Sequence, residues 1–290
     1  MPELWLEAGT LWDKVKETTE QATRSHALQS IPTDWEIVED GDVPFLVRVL
    51  SSIARKEKAK KQQEKSPKPK NPFLPYEKDL FVTDISPTHL CLLNKFNVVA
   101  HHLLVVTRDF EEQENWLNLA DFQAMTACLQ EIEGLAFYNG GKNAGASQPH
   151  KHLQLVPFPL TPHNATIPLE PLLKDTDNTT IPHLPFRHAF TTFPSPPSPE
   201  TYLDYYQHLL QEVGLLNHEA SPTQQTNAYN LLATRNWMLL IPRVQDQFAS
   251  IPVNSLGFAG TFFVKNEEQL AQLKDYRPFT ILKNVAQSER

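Results

Sequence analysis

The chain has 290 residues, 40% hydrophobic and 21% charged, which suits one large domain or two intimately joined ones with a real core. Its net charge of -8 hides an asymmetry: Arg55 to Lys70 (RKEKAKKQQEKSPKPK) holds eight Lys/Arg and two Glu, a local +6, so the remainder carries -14. An acidic body is a poor general binder of nucleic acid, and no apolar run reaches the length of a membrane span.

The N-terminal MPELWLEAGT has no basic region followed by an apolar one, so no signal peptide is expected. Cys91 and Cys128, far apart and in apolar segments, read as buried hydrophobes of a reducing compartment, and a cytoplasmic location is expected. Leu11, Val15, Ala22 and Leu28 approximate a helical period. WEIVEDGDVPFLVRVL reads as two strands around a Gly-Asp turn, and the basic tract that follows reads as a solvated loop over about 55–71.

Short runs rich in branched and aromatic residues predict strands over 80–85, 90–94 and 100–106. Leu119, Phe122, Met125, Leu129 and Ile132 predict a helix to about residue 133, with Asn118 as N-cap and Gly134 as its stop. LAFYN and HKHLQLVPF read as strands on either side of a glycine-rich loop. Prolines then punctuate 161–200, with one strand at FRHAF, before a helix capped by Ser198 that runs to Leu216. AYNLLAT and NWMLLIPR read as strands joined by a turn near Arg235, followed by a loop, a glycine-bearing strand and a helix opened by Asn266 with Gln269 three residues on. The pattern is α+β with a mainly antiparallel sheet.

The chemistry concentrates in YNGGKNAGASQPHKHLQLVP, from Tyr138 to Pro157. Side chains of a strand alternate faces, so His150, His152 and Gln154 share one face while Lys151, Leu153 and Leu155 share the other. The leucines mark their face as core, which leaves the histidines and Gln154 toward a cleft. Four of the nine glycines lie between 134 and 145. A loop of Gly, Asn and Ser can turn backbone N–H groups inward as an anion nest, so Asn139, Gly145, Ala146, Ser147 and Gln148 are candidate phosphate holders. Lys265 would add countercharge if its strand reaches the cleft.

A neutral imidazole is nucleophilic at pH 7, and attack on phosphorus gives a phosphoramidate that a second nucleophile can open. Gln154 offers an amide N–H to a phosphoryl oxygen as charge shifts, and unlike histidine it cannot shuttle a proton. A His-x-His pair on a strand is also a common metal-ligand set, but such sites recruit a further His or carboxylate. Here Leu, Gln, Leu, Val and Pro follow, which leaves only distant ligands such as His101 or His188. Spacing favours phosphate chemistry over metal. The order of a Walker loop is absent.

At these residues the chain resembles the histidine-triad superfamily, and within it the ATP adenylyltransferases, also called diadenosine tetraphosphate (Ap4A) phosphorylases. The resemblance rests on YNGGKNAGASQPHKHLQ, HLCLLNKFNVVAHHLLVVTRDF, LVRVLSS ahead of NPFLPY, and VNSLGFAGTFFVKN, in the expected order along most of the chain. It implies a histidine-triad-like antiparallel sheet flanked by helices, with a catalytic core over 1–160, a Pro-rich connection over 161–200 and a strand–helix extension over 201–290 that completes the nucleotide site. It implies His152 as nucleophile with Gln154 and His150 beside it. Gln154 stands where hydrolases of the superfamily keep a third histidine, which tilts the reaction toward transfer to phosphate. Implied substrate contacts are Asn94, Lys95, Asn139, Gly145, Ala146, Ser147, Gln148, Gln154, Asn254, Ser255, Leu256, Thr261 and Lys265, with Lys56 offered from the lysine-rich tract.

Implied substrates are Ap4A, ATP, ADP and phosphate, with no nucleic-acid or membrane partner. No cofactor is obligatory, and a divalent cation such as Mg2+ could accompany the nucleotide. The alternatives are a related transferase or dinucleoside polyphosphate hydrolase of the superfamily, or a non-catalytic nucleotide-binding module. Galactose-1-phosphate uridylyltransferases share His-x-His-x-Gln, but with His-Pro-His and often a metal-binding Cys pair that is missing here.

Overall fold

The branched and aromatic runs form strands, and the longer amphipathic stretches form helices. A computed structural model describes residues 3–50, 71–161, 166–173, 180–216, 224–225 and 227–289. Lys56 and the basic loop lie outside the described residues.

Helix α1 (Leu11–Arg24) is followed by the hairpin β1 (Thr33–Asp40) and β2 (Val43–Leu50), which turns at Gly41–Asp42 as the sequence predicts. Then come β3 (Phe81–Asp84), β4 (His89–Leu93), β5 (Leu103–Thr107), α2 (Leu119–Glu131), β6 (Gly134–Gly140) and β7 (His152–Pro157). A short helix α3 (Glu170–Leu173) leads to β8 (Ala189–Thr192), α4 (Pro199–Glu212), β9 (Tyr229–Ala233) and β10 (Trp237–Pro242). The chain closes with β11 (Gln247–Phe248), β12 (Ile251–Pro252), the helical turn α5 (Ser255–Phe258), β13 (Thr261–Val264), α6 (Glu267–Tyr276) and α7 (Pro278–Val285).

Eight strands form one sheet in the order β3-β4-β5-β7-β6-β9-β10-β8, with every neighbouring pair antiparallel. Strands before residue 160 and after residue 180 therefore share this sheet, joined where β6 pairs with β9. A smaller sheet, β1-β2-β13, contains one parallel pair, β2 with β13.

Helices α1, α2 and α4 cover one face of the large sheet over Leu103, Val105, Leu153, Leu155, Leu231 and Leu240. The other face carries two separate apolar clusters. One packs the small sheet, α6 and α7 over Phe137, Leu232 and Ile241. The second is Phe73 with Leu90, Leu92, Leu104 and Val106. The register sets Gln154 between Leu104 on β5 and Phe137 on β6, so the polar residues of β7 lie in the gap between these clusters. That gap is the cleft.

Three expectations need correction. Helix α2 ends at Glu131, and Gly134 opens β6 instead of stopping the helix; a Cβ there would collide with the Val156 carbonyl. Strand β7 begins at His152, so His150 and Lys151 precede it. Gln269 does not close a capping box: Asn266 accepts from its N–H, but its own side chain accepts from the Lys265 N–H. Asn118 does form a full capping box, with Asp121. Among the described residues no helix is long and apolar enough to cross a membrane.

Candidate active site

His152 is nearly fully buried and lines a cavity of about 770 Å³ together with Asn94, Lys95, Ser147, Gln148 and Gln154. Its Nδ1 lies 2.8 Å from the His150 carbonyl, which can only accept. The proton therefore sits on Nδ1, and the lone pair is on Nε2, which has no partner among the described residues. Burial lowers the pKa of this imidazole from 6.5 to about 4, so it is neutral at pH 7.

The His150 ring is engaged elsewhere. Its Nε2–H donates to the Thr107 carbonyl at 2.8 Å, and its Nδ1 accepts from the Asn71 amide at 3.1 Å. Phe73 packs against both rings, with centroids 5.5 and 5.3 Å away. The side chain of His150 thus fixes the backbone whose carbonyl orients His152.

Gln154 is oriented by a relay that starts from a backbone donor. The Phe96 N–H donates to Asn94 Oδ1 at 3.2 Å, which turns the Asn94 amide nitrogen toward His102 Nδ1 at 3.3 Å. His102 therefore carries its proton on Nε2 and donates to Gln154 Oε1 at 2.9 Å. The acceptor end of Gln154 is occupied, so its NH2 group is the end left for a ligand. Burial lowers the His102 pKa to about 4, which keeps the relay neutral.

A third relay orients Asn139. Its Oδ1 accepts from the Ser255 N–H at 3.0 Å, the Ser255 hydroxyl at 2.8 Å and the Asn230 amide at 2.9 Å. The Asn139 NH2 group is left for an adjoining cavity of about 430 Å³, which Asn139 lines with Gly145, Ala146, Ser147, Asn254, Leu256 and Thr261. The two cavities share Asn94, Phe96, Ser147 and Gln154.

The glycine-rich loop is narrower as an anion nest than its composition suggests. The N–H groups of Gly145 and Ala146 close the loop's own turns onto the Lys142 and Gly141 carbonyls. Those of Ser147 and Gln148 remain. Gly145 has φ +90°, and a Cβ there would lie 2.9 Å from the Val253 carbonyl, so the loop is pressed against the Asn254 turn. The buried Arg243 guanidinium ties the two segments by donating to the Ala144 and Val253 carbonyls.

The structure gathers the implied residues unevenly. His152, Gln154, Asn94, Asn139, Gly145 to Gln148, Asn254, Leu256 and Thr261 line one or both cavities, and Ser255 stands behind Asn139. Lys95 reaches the larger cavity and pairs with Glu77. Lys265 does not join them: β13 stops at Val264, and Lys265 is exposed and lines neither cavity. His101 bonds to Thr19, and His188 to Phe186 and Ile181, away from the His-x-His pair. Among the described residues no cluster of three or more His, Cys, Asp or Glu could hold a metal ion.

Two contributors escape the sequence reading. His102 is one. Gln113 is the other: β6 and β7 pair only as far as Phe137 with Gln154, and beyond that Gln113 stands between the strands. Its amide oxygen accepts from the His152 N–H at 2.8 Å, and its nitrogen donates to the Asn139 and His152 carbonyls at 3.0 and 3.2 Å. The strands splay there without leaving backbone groups unpaired.

A neutral, oriented imidazole beside amide donors in a two-lobed cleft is equipped for nucleophilic attack on a group such as phosphorus, whose oxygens the amides can hold. The family described as the Ap4A phosphorylase N-terminal domain matches residues 1–175, and the ATP adenylyltransferase C-terminal domain matches residues 182–288. The chain belongs to the Ap4A phosphorylase family. Diadenosine 5',5'''-P1,P4-tetraphosphate phosphorylase 2 of Saccharomyces cerevisiae is 29% identical over 265 residues, covering 80% of this chain and 79% of the relative. Protein APA1 of the same yeast is 25% identical over 301 residues, covering 92% and 89%. The crystal structure of yeast Ap4A phosphorylase Apa2 in complex with AMP shares the fold, with a TM-score of 0.81 at 22% identity over 98% of this chain and 99% of that one. Apa2 in complex with Ap4A gives a TM-score of 0.78 at 23% identity over 97% and 98%.

Proposed function

We propose that the chain degrades Ap4A by phosphorolysis, reversibly, giving ATP and ADP through AMP held on His152. The family membership supports the overall reaction, and the yeast relative is itself named an Ap4A phosphorylase. The observation that carries the covalent route is the Nδ1–H bond to the His150 carbonyl, which leaves the Nε2 lone pair of a neutral His152 at the cavity.

In the first step Nε2 attacks the α-phosphorus, the P–O bond to the departing ATP breaks, and the imidazole becomes an adenylylated cation. The His150 carbonyl stabilises that charge through Nδ1–H. Gln154 donates to a phosphoryl oxygen as charge builds there. In the second step a phosphate oxygen attacks the same phosphorus, the P–N bond breaks, ADP leaves and His152 returns neutral. Gln154 cannot take a proton from water at neutral pH, which suits phosphate, already an anion, as the acceptor.

The substrates of this reading are small nucleotides and phosphate, with no nucleic acid, and the protein acts in the cytoplasm. No cofactor is required, and a divalent cation such as Mg2+ enters with the polyphosphate as part of the substrate. The test gives purified protein Ap4A with and without phosphate. ATP plus ADP formed only with phosphate is the expected result. ATP plus AMP regardless of phosphate makes it a hydrolase, and tight binding without turnover makes it a binding module.

A further inference from the structure

Arg48 stands outside the residues that the resemblance implies, yet it faces the same cleft. On β2, Phe45, Val47 and Val49 point into the core, so Leu46 and Arg48 take the opposite face. The register sets Arg48 beside Phe263 and Leu46 beside Thr261. Arg48, Thr261 and Phe263 line the 430 Å³ cavity with Asn139 and Gln154.

The guanidinium has no ion pair with a described carboxylate, and its buried Nε has no hydrogen-bond partner. The buried Thr261 hydroxyl on the neighbouring strand is also without a partner. Buried donors are ordinarily satisfied, and two residues with unpaired donors in the lining of one cavity, one of them a cation with no described counter-ion, favour a ligand rich in acceptors. The cation decides between acceptors: a half-buried guanidinium is best compensated by phosphate oxygens, whereas a purine ring offers no negative charge.

The cavity adjoins the larger one at Gln154 and Ser147 but does not reach His152. That disposition suits a subsite for the part of the substrate that is not transferred. We infer that Arg48, with Thr261, binds the phosphates of the nucleoside triphosphate that departs when His152 takes AMP. The inference rests on the phosphorolysis reading above for the identity of the substrate.

In the His152→Ala background, which blocks turnover, Arg48→Met is expected to weaken Ap4A binding about tenfold or more while changing AMP binding less than about twofold, the contrast made by one charge-assisted hydrogen bond. Arg48→Lys recovers part of the loss, because it restores charge without the fork. Calorimetry reads both ligands. A second measurement uses the protein with His152 intact. Exchange of labelled phosphate into ADP needs only the half-reaction in which the β-phosphate takes the first position of the triphosphate subsite and the outer positions stay empty. Arg48→Met is expected to raise the KM for Ap4A about tenfold and the KM for ADP in exchange by clearly less, because ADP fills only the first phosphate position. Equal weakening toward Ap4A and AMP, or no weakening of either, overturns the assignment. If the parent protein exchanges no phosphate into ADP, the covalent reading falls instead, and the binding comparison still decides Arg48.

Discussion

The two faces of the sheet around β7 handle buried polar groups in opposite ways. On the helix-covered face, Lys151 is fully buried, and its ammonium donates to Asp121 at 2.6 Å, to Glu111 at 3.1 Å and to the Trp116 carbonyl at 3.1 Å. Asp121 also accepts from His89 at 3.1 Å and from the Asn118 N–H at 2.7 Å. Burial pushes the Asp121 carboxyl up, but the hydrogen bond from His89 and the charge and hydrogen bond of Lys151 outweigh it and leave it below the usual carboxylate range. That network is ionic and closed. On the cleft side the members of the three relays are neutral, and each relay ends in a free valence: a lone pair on His152 and amide N–H groups on Gln154 and Asn139. Closed networks hold a fold, whereas open-ended ones are aimed at a ligand.

The comparison breaks most visibly at its two ends. His152→Ala is expected to lower turnover about a thousandfold or more while leaving the denaturation midpoint nearly in place, because it removes an open end. Steady-state rates and a melting curve check both halves. Lys151→Met is expected to do the reverse, costing about 3–5 kcal/mol of stability by stranding the Asp121 carboxylate, as measured by denaturant titration. If Lys151→Met left stability untouched, the closed network would not be structural.

His102→Leu sharpens the contrast within the cleft. Gln154 keeps its amide but loses the donor that orients it, so kcat is expected to fall about tenfold, the scale of one buried hydrogen bond. His102→Asn, which can still donate, restores part of that rate, and a kcat unaffected by His102→Leu would break the relay. The same neutral imidazoles make stability depend on pH. His102 and His152 titrate near pH 4 in the folded protein, against 6.5 for an ordinary histidine. The unfolded chain therefore binds more protons between these values, so stability is complete above pH 6.5 and declines as pH falls toward 4. Denaturant midpoints across that window test it, and His102→Asn is expected to flatten the slope.

The strand period of two was enough to place His152 and Gln154 in a cleft and Leu153 and Leu155 in the core. What escaped depends on register and on where strands end. HHLL reads the same whichever histidine faces the cleft; the choice of His102 follows from β5 starting at Leu103 and from the turn at His101, where φ is +55°. Gln113 is illegible because its role exists only where β6 and β7 splay. Lys265 was to add countercharge if its strand reached the cleft, but β13 ends one residue earlier and Asn266 starts a helix cap. Gly145 and Ala146 carry the composition of an anion nest, yet their N–H groups are used within the loop. Lys151 was assigned to the core side with the leucines, and its ionic partners come from residues 30 and 40 positions away.

The central claim is that the open end at His152 carries AMP. The direct measurement incubates the protein with Ap4A without phosphate, then reads its mass and maps any modified peptide. One adenylyl group on His152, discharged as ADP when phosphate is added and missing in His152→Ala, is the expected result. ATP and ADP forming from Ap4A and phosphate with no adduct, or an adduct that survives in His152→Ala, would contradict it.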